Sequence, residues 1–275
     1  MISLTQRSKP LRCLLHVAAL LTALPLAPFA AVRADEPARS AATPAAIREI
    51  EAAGARIYRL DRAAAVATDE ALTLPAFRQD RRVRGWVTQN SPRGVDVTFV
   101  DATPAALYRV TISDAGRSIG PVVVLKVPQA LSAYEAGAVQ ARRLAIDTPF
   151  PRCPGQYNTV VLPADPARTD RWFVYFLPVV TARASLPIGG AYRIEVTGSK
   201  VTGQRAYSRS CLVASNEPEA VALFVSHLLD PVPTEIHVFW SLWAAKPIAV
   251  RTQDDKTWMV ADGKIGLLDA DATGR

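Results

Sequence analysis

Hydrophobic and polar residues alternate along most of the chain from residue 82 onward, in short runs separated by Gly, Pro, Asn and Asp. A period of two is typical of β-strands that bury one face, and those boundary residues mark turns. The pattern therefore predicts a series of mainly antiparallel strands. They cover residues 83–87, 95–100, 107–112, 121–127, 157–162, 172–177, 191–196, 203–210, 236–242, 248–252, 257–260 and 265–268.

The segment before residue 82 predicts a short helix followed by less regular structure. Thr43 is a residue type that caps helices, Pro44 suits a first helical turn, and Gly54 is suited to ending the helix. Residues 56–60 alternate as a strand does, whereas the Ala-rich stretch 63–72 is compatible with either a strand or a helix.

Two further helices are predicted between the strands. Ser132 and Glu135 have the spacing of a capping box, and the apolar residues that follow recur at three and four positions. Asn216 and Glu219 have the same spacing before an apolar run that ends near residue 229. We therefore expect one helix after the fourth strand and another before residue 230.

The order of these elements predicts the fold class. Helix, β-meander, helix, β-meander, helix and hairpins describe an α+β protein of repeated helix plus antiparallel β-meander units, with helices packed on one face of the sheets. Residues 108–112 (YRVTI) and 192–196 (YRIEV) are similar and indicate an internal repeat. The units would span residues 43–148 and 149–275, either as one continuous sheet or as two small domains.

The first 34 residues have the pattern of a secretory signal peptide. Three basic residues precede an almost wholly apolar stretch over residues 13–26, and Val32 and Ala34 supply small residues for cleavage. The apolar run is shorter than the ~20 residues a spanning helix needs. We expect cleavage, a flexible leader over residues 35–42, no transmembrane segment afterwards, and a periplasmic or secreted location.

Charge and cysteine content limit the partners. The formal net charge is +7, but residues 1–34 hold four basic and no acidic residues, which leaves 28 basic against 25 acidic residues. So small a surplus does not indicate a nucleic-acid partner. Cys153 and Cys211 remain after signal cleavage, and an even pair in an oxidising compartment predicts a disulfide bond.

Motifs of the common catalytic mechanisms are absent. The chain has no G-x-S-x-G, S-x-x-K, P-loop or G-x-G-x-x-G sequence. Glu235 and His237 lie two positions apart on a predicted strand and would share one face, as an acid–base pair or as two ligands of a metal. His227 would complete a metal site only if folding brought it there. We favour a structural pair, with no metal and no cofactor.

Residues 237–243 (HVFWSLW) are unusually aromatic. One interpretation is a central strand covered on both sides. The other is a groove in which Phe239, Trp240 and Trp243, together with Trp258, stack a sugar or bind a partner chain.

A second local pattern is basic. Arg78, Arg81, Arg82 and Arg84 precede Trp86, with Asp80 inside the run. An anionic lipid or a polyanion is one candidate ligand, but a solvated strand edge is the favoured interpretation, because edge strands often carry charge.

Two stretches carry a family resemblance, one from Tyr58 to Asp69 and one from Tyr157 to Pro163. They resemble exported bacterial proteins of unknown function, over most of the chain after the signal peptide. The resemblance implies no activity and assigns no functional residue.

The sequence therefore predicts an exported binding or interaction module without catalytic activity, whose partner is an envelope protein or a small ligand. Two alternatives remain open. One is a cell-envelope hydrolase that uses Glu235 and His237, and the other is a small-ligand carrier with a Trp-lined cleft.

Overall fold

The computed structural model describes residues 43–182 and 184–268, so the predicted signal peptide and leader lie outside the described residues. The helices in these ranges are α1 (Pro44–Leu72), α2 (Pro75–Gln79), α3 (Ala133–Ile146) and α4 (Glu235–Ala244). The strands are β1 (Gly85–Ser91), β2 (Gly94–Val100), β3 (Ala106–Ile112), β4 (Val123–Gln129), β5 (Tyr157–Asp165), β6 (Arg168–Pro178), β7 (Ser185–Leu186), β8 (Tyr192–Thr197), β9 (Lys200–Ala206), β10 (Ala214–Ser215), β11 (Leu223–His227), β12 (Ile248–Thr252), β13 (Thr257–Ala261) and β14 (Lys264–Leu268).

Most of these strands form three four-stranded sheets. The first has the order β1-β2-β3-β4 and the second has the order β5-β6-β8-β9, both antiparallel throughout. The third has the order β11-β12-β13-β14, in which β11 and β12 are parallel and α4 connects them. The predicted α+β class and both predicted meanders are confirmed.

Helix α1 begins as predicted but is much longer. Thr43 Oγ1 accepts a hydrogen bond from the amide of Ala46 at 3.2 Å, and Pro44 is in the first turn. The helix continues for 29 residues through Gly54, so the predicted end at Gly54 and the predicted strand over 56–60 are wrong. A Cβ atom at Gly54 would lie 2.4 Å from the Cβ of Val238 on α4. Glycine is therefore required for the close approach of the two helices, and it does not mark a helix end.

Two predictions give the wrong secondary structure: the strand over residues 236–242 and the helix that ends near residue 229. Residues 236–242, predicted as a strand, belong to helix α4, whose Ile236, Val238, Phe239 and Trp240 are at most 2% exposed. A helix buried on all sides has no polar face, so its pattern does not distinguish it from a buried strand. The helix predicted from Asn216 is a loop followed by β11, in which buried and exposed residues alternate.

Helices cover both faces of the second sheet. Helices α1 and α4 pack with Leu162, Tyr175 and Leu177, whereas α3 packs on the other face with Val174 and Phe176. The predicted packing of helices on one face of the sheets is therefore wrong, because successive residues of β6 are buried on opposite sides. The larger core draws on both predicted units, 43–148 and 149–275, which belong to one body.

The predicted disulfide bond joins Cys153 and Cys211, with Cα atoms 5.6 Å apart. It ties the segment before β5 to the loop after β9. Such a bond is compatible with secretion. In the parts of the chain that the structure describes, no helix is both long and apolar enough to cross a membrane.

Asp61 is a buried carboxyl group in the middle of α1. Its Oδ1 atom accepts a hydrogen bond of 3.4 Å from Asn158 Nδ2, and burial raises its pKa to about 6. Because the folded-state pKa is raised, the protein loses stability as the pH rises from about 4 to 6 and Asp61 is ionised.

We therefore expect Asp61→Asn to stabilise the protein at pH 8 by about 3 kcal/mol and to give no gain at pH 3.5. Urea unfolding of both proteins at the two pH values measures this difference. An equal change at both pH values would contradict it. Asp69→Asn, an exposed position on the same helix, is the matched control.

Candidate binding cleft

A cleft of about 500 Å³ separates the first half of α1 from the second sheet. Ala46, Ile50 and Ala53 form its α1 wall, and Leu162 and Phe173 contribute to the sheet wall. Three of the α1 lining residues are alanines, whereas Glu49 and Arg56 bring opposite charges to the same wall. The walls of the cleft therefore combine apolar and charged groups.

The floor of the cleft is polar and centres on Glu235, the first residue of α4. Its Oε1 atom accepts hydrogen bonds from the hydroxyl of Tyr175 at 3.2 Å, from that of Tyr207, and from Arg193 Nη1 at 3.3 Å. Burial, together with the charge of Glu235, raises the pKa of Tyr175 above its usual range, so this phenol stays protonated and donates. The carboxylate also lies at a helix N-terminus, which favours negative charge.

Arg193 extends from β8 of the second sheet to the floor of the cleft. Its Nη2 atom donates to Glu195 at 2.6 Å, and its guanidinium carbon lies 4.3 Å from the ring centroid of Phe173. Arg171 also pairs with Glu195, at 2.7 Å. These contacts fix the guanidinium group of Arg193 beside the wall of the cleft.

Two buried donors at the cleft have no acceptor. The Nε atoms of Arg56 and Arg193 make no hydrogen bond to any atom of the described residues. Both side chains line the cleft. A buried N–H without an acceptor costs about 1–3 kcal/mol, so the two guanidinium groups at the cleft are incompletely paired. The cleft is thus suited to a molecule with an apolar body and an oxygen-bearing head group.

The two similar stretches noted in the sequence occupy equivalent places. Both lie on the third strand of a four-stranded meander. In each, the arginine reaches a glutamate in the first turn of a later helix: Arg109 pairs with Glu135 of α3 at 2.6 Å, and Arg193 with Glu235 of α4 at 3.3 Å. The internal repeat itself remains a prediction.

The strand prediction required Glu235 and His237 to share one face, but on helix α4 they do not. Two residues apart on a helix means a rotation of about 200°. Glu235 lines the cleft, whereas His237 lines a separate cavity of about 80 Å³ together with His227. A chain of contacts connects the two sites: Arg205 to Asp230 at 3.1 Å, Asp230 to His227 at 2.9 Å, and the two imidazole rings 4.7 Å apart.

The four residues predicted to form an aromatic groove do not line the cleft. Phe239 and Trp240 are each 1% exposed and belong to the core, while Trp243 and Trp258 are half-buried against it. Phe173 and Tyr175 line the cleft instead. The sequence pattern did not identify them, because alternating large residues on a central strand are typical of core positions. The only signal for this sheet was the similarity of residues 192–196, which include Arg193, to residues 108–112.

In residues 43–182 and 184–268, no group of three or more His, Cys, Asp or Glu side chains is placed to hold a metal ion.

Comparison of the chain with protein-family models, curated proteins and solved structures finds no match.

Proposed function

We propose that this chain is an exported, non-catalytic binding protein, periplasmic in location, that holds a small amphiphilic molecule in the cleft between α1 and the second sheet. The observation that carries the proposal is a cleft of about 500 Å³ in which Arg56 and Arg193 lie beside apolar residues of α1 and β6. The signal-like pattern of residues 1–34 and the Cys153–Cys211 bond support export.

The bonding of Glu235 favours binding over catalysis. Two tyrosine hydroxyls and Arg193 already donate to its Oε1 atom, which keeps it as a fixed counter-charge to Arg193. The ligand head group would instead meet Arg56, whose guanidinium group makes no hydrogen bond within the described residues. A carboxylate on an alkyl chain has the required chemistry, since the guanidinium fork matches its two oxygens.

Sodium dodecanoate is a suitable probe for this site. We expect it to bind in a 1:1 ratio, and we expect Arg56→Gln to raise its Kd about tenfold through the loss of a charged hydrogen-bond donor. Ala53→Leu, which fills the cleft from α1, should weaken binding by at least as much. Isothermal titration calorimetry at constant ionic strength measures both effects.

Arg48→Gln is the matched control, because Arg48 is exposed on the same helix and lies outside the lining of the cleft. Its Kd should equal that of the unaltered protein. An absence of saturable binding, or a Kd that Arg56→Gln and Ala53→Leu leave unchanged, would overturn the proposal.

A hydrolase that uses Glu235 is the second candidate. The position of this carboxylate in the lining of the cleft favours this alternative. Purified protein would then hydrolyse an ester or peptide from the cell envelope, and Glu235→Gln would abolish the turnover while thermal stability stayed similar. Such a result would replace the non-catalytic proposal.

A further inference from the structure

A second pocket, of about 250 Å³, lies on the α3 side of the protein. Arg84 and Trp86 line it from the start of β1, and Arg142 and Arg143 line it from α3. The basic run in the sequence does not act as a unit, because Arg82 pairs with Asp80 at 2.7 Å. Folding instead brings Arg84 together with two arginines that lie 58 and 59 positions later.

Arg142 is the central cation of this pocket. Its Nε atom donates to Thr159 Oγ1 at 2.8 Å, and its guanidinium carbon lies 5.9 Å from the ring centroid of Trp86. A Cβ atom at Gly85 would lie 2.8 Å from Arg142 Nη1, so glycine leaves room for the guanidinium group. Burial lowers the pKa of Arg142, which reflects the cost of a charge held partly away from water.

The neighbouring groups balance this positive charge only in part, since three arginines and one carboxylate line the pocket. Among residues 43–182 and 184–268, no carboxylate lies within ion-pair distance of Arg84, Arg142 or Arg143. Arg143 donates to the backbone oxygen of Ala102. Asp101 also lines the pocket, but its Oδ1 atom accepts three hydrogen bonds from its own turn, from the amide and hydroxyl of Thr103 and the amide of Ala105.

We propose that this pocket binds a phosphate group between Arg84, Arg142 and Arg143, with Trp86 as its apolar wall. Three like charges repel one another unless an anion lies between them, and a guanidinium group presents paired N–H donors that match phosphate oxygens. Phosphate carries enough negative charge to balance two of the three arginines. The same chemistry is offered by a free phosphorylated molecule and by the head group of an anionic phospholipid.

The test uses both sources on the full mature chain. Inorganic pyrophosphate is titrated by calorimetry at constant ionic strength, and vesicles of phosphatidylglycerol in phosphatidylcholine are tested by co-sedimentation. We expect Arg142→Gln and Arg84→Ala each to raise the Kd of the bound probe about tenfold or more. Arg84 is exposed and its side chain makes no hydrogen bond or ion pair within the described residues, so Arg84→Ala remains informative if Arg142→Gln is unstable.

Arg93→Gln removes an equal charge at the exposed turn between β1 and β2, at the opposite end of β1, and should leave the Kd unchanged. Binding of pyrophosphate with this pattern assigns the site to free phosphorylated molecules, and binding of vesicles alone assigns it to a lipid head group. If all three substitutions weakened binding of the probe equally, the attraction would be a diffuse effect of net charge and the proposal would be overturned. A protein that binds neither probe would overturn it as well.

Discussion

Lowering the pH from 7 to 3 is expected to remove about 4 kcal/mol of the free energy of unfolding through His237 alone. Burial lowers the pKa of this imidazole from its usual value to about 3, with His227 as the next contribution. In the unfolded chain the group would titrate near 6.5. The unfolded state therefore binds more protons across this window, so stability is complete above pH 6.5 and falls as the pH drops toward 3.

The geometry shows why His237 resists protonation. Its Nδ1 atom accepts a hydrogen bond of 3.0 Å from the backbone amide of Thr234. Nδ1 is therefore the unprotonated nitrogen, and adding a proton would set two donors against each other at the start of α4. The facing groups are His227, Asp230 and Arg205, and Asp230 already pairs with the other two. No free carboxylate is left there to stabilise an imidazolium ion.

His237→Gln is the variant that isolates this effect. Glutamine at the third helical position also accepts from the amide of the N-cap residue, so it keeps the cap without a titrating group. Urea unfolding is measured for both proteins from pH 7.5 to 4. Below pH 6.5 the free energy of unfolding of the unaltered protein should fall more steeply than that of the variant, by about 1.4 kcal/mol per pH unit. Parallel pH profiles for the two proteins would contradict the prediction.

The parts of the fold that follow from local sequence were predictable. The capping box of α3 is present, with hydrogen bonds of 2.8 Å and 3.2 Å between Ser132 and Glu135. The strand over residues 95–100 and the hairpin of β12 and β13 also formed where alternation placed them. In each case neighbouring residues are sufficient to determine the conformation.

The parts that depend on distant contacts were not predictable. Gly54 looks like a helix end until Val238 is known to lie against it, 184 positions later in the chain. Residues 236–242 look like a strand because every side of α4 is covered by other elements. The cleft had no local signal either, since Arg56 and Arg193 are far apart in the sequence and meet only in the folded protein.

Loss of the disulfide bond is the second large effect that we expect. Cys153 and Cys211 are 58 residues apart, and closing a loop of this length in the unfolded chain is worth about 4 kcal/mol in the chain-entropy model. The double substitution Cys153→Ala, Cys211→Ala should lower the free energy of unfolding by about that amount. Urea unfolding with and without a reducing agent measures it, and the reducing agent should affect only the unaltered protein.

The native structure around the bond should survive its removal. Tyr157 accepts a hydrogen bond of 2.9 Å from the amide of Cys153 and donates one of 3.1 Å to the oxygen of Gly190, so this segment has a second attachment to the sheet. Neither cysteine lines the α1 cleft. Dodecanoate should therefore bind the double variant with an unchanged Kd below its unfolding temperature. Lost binding in a variant that is still folded would show that the bond shapes the cleft directly, and a stability change below about 1 kcal/mol would contradict the entropic account.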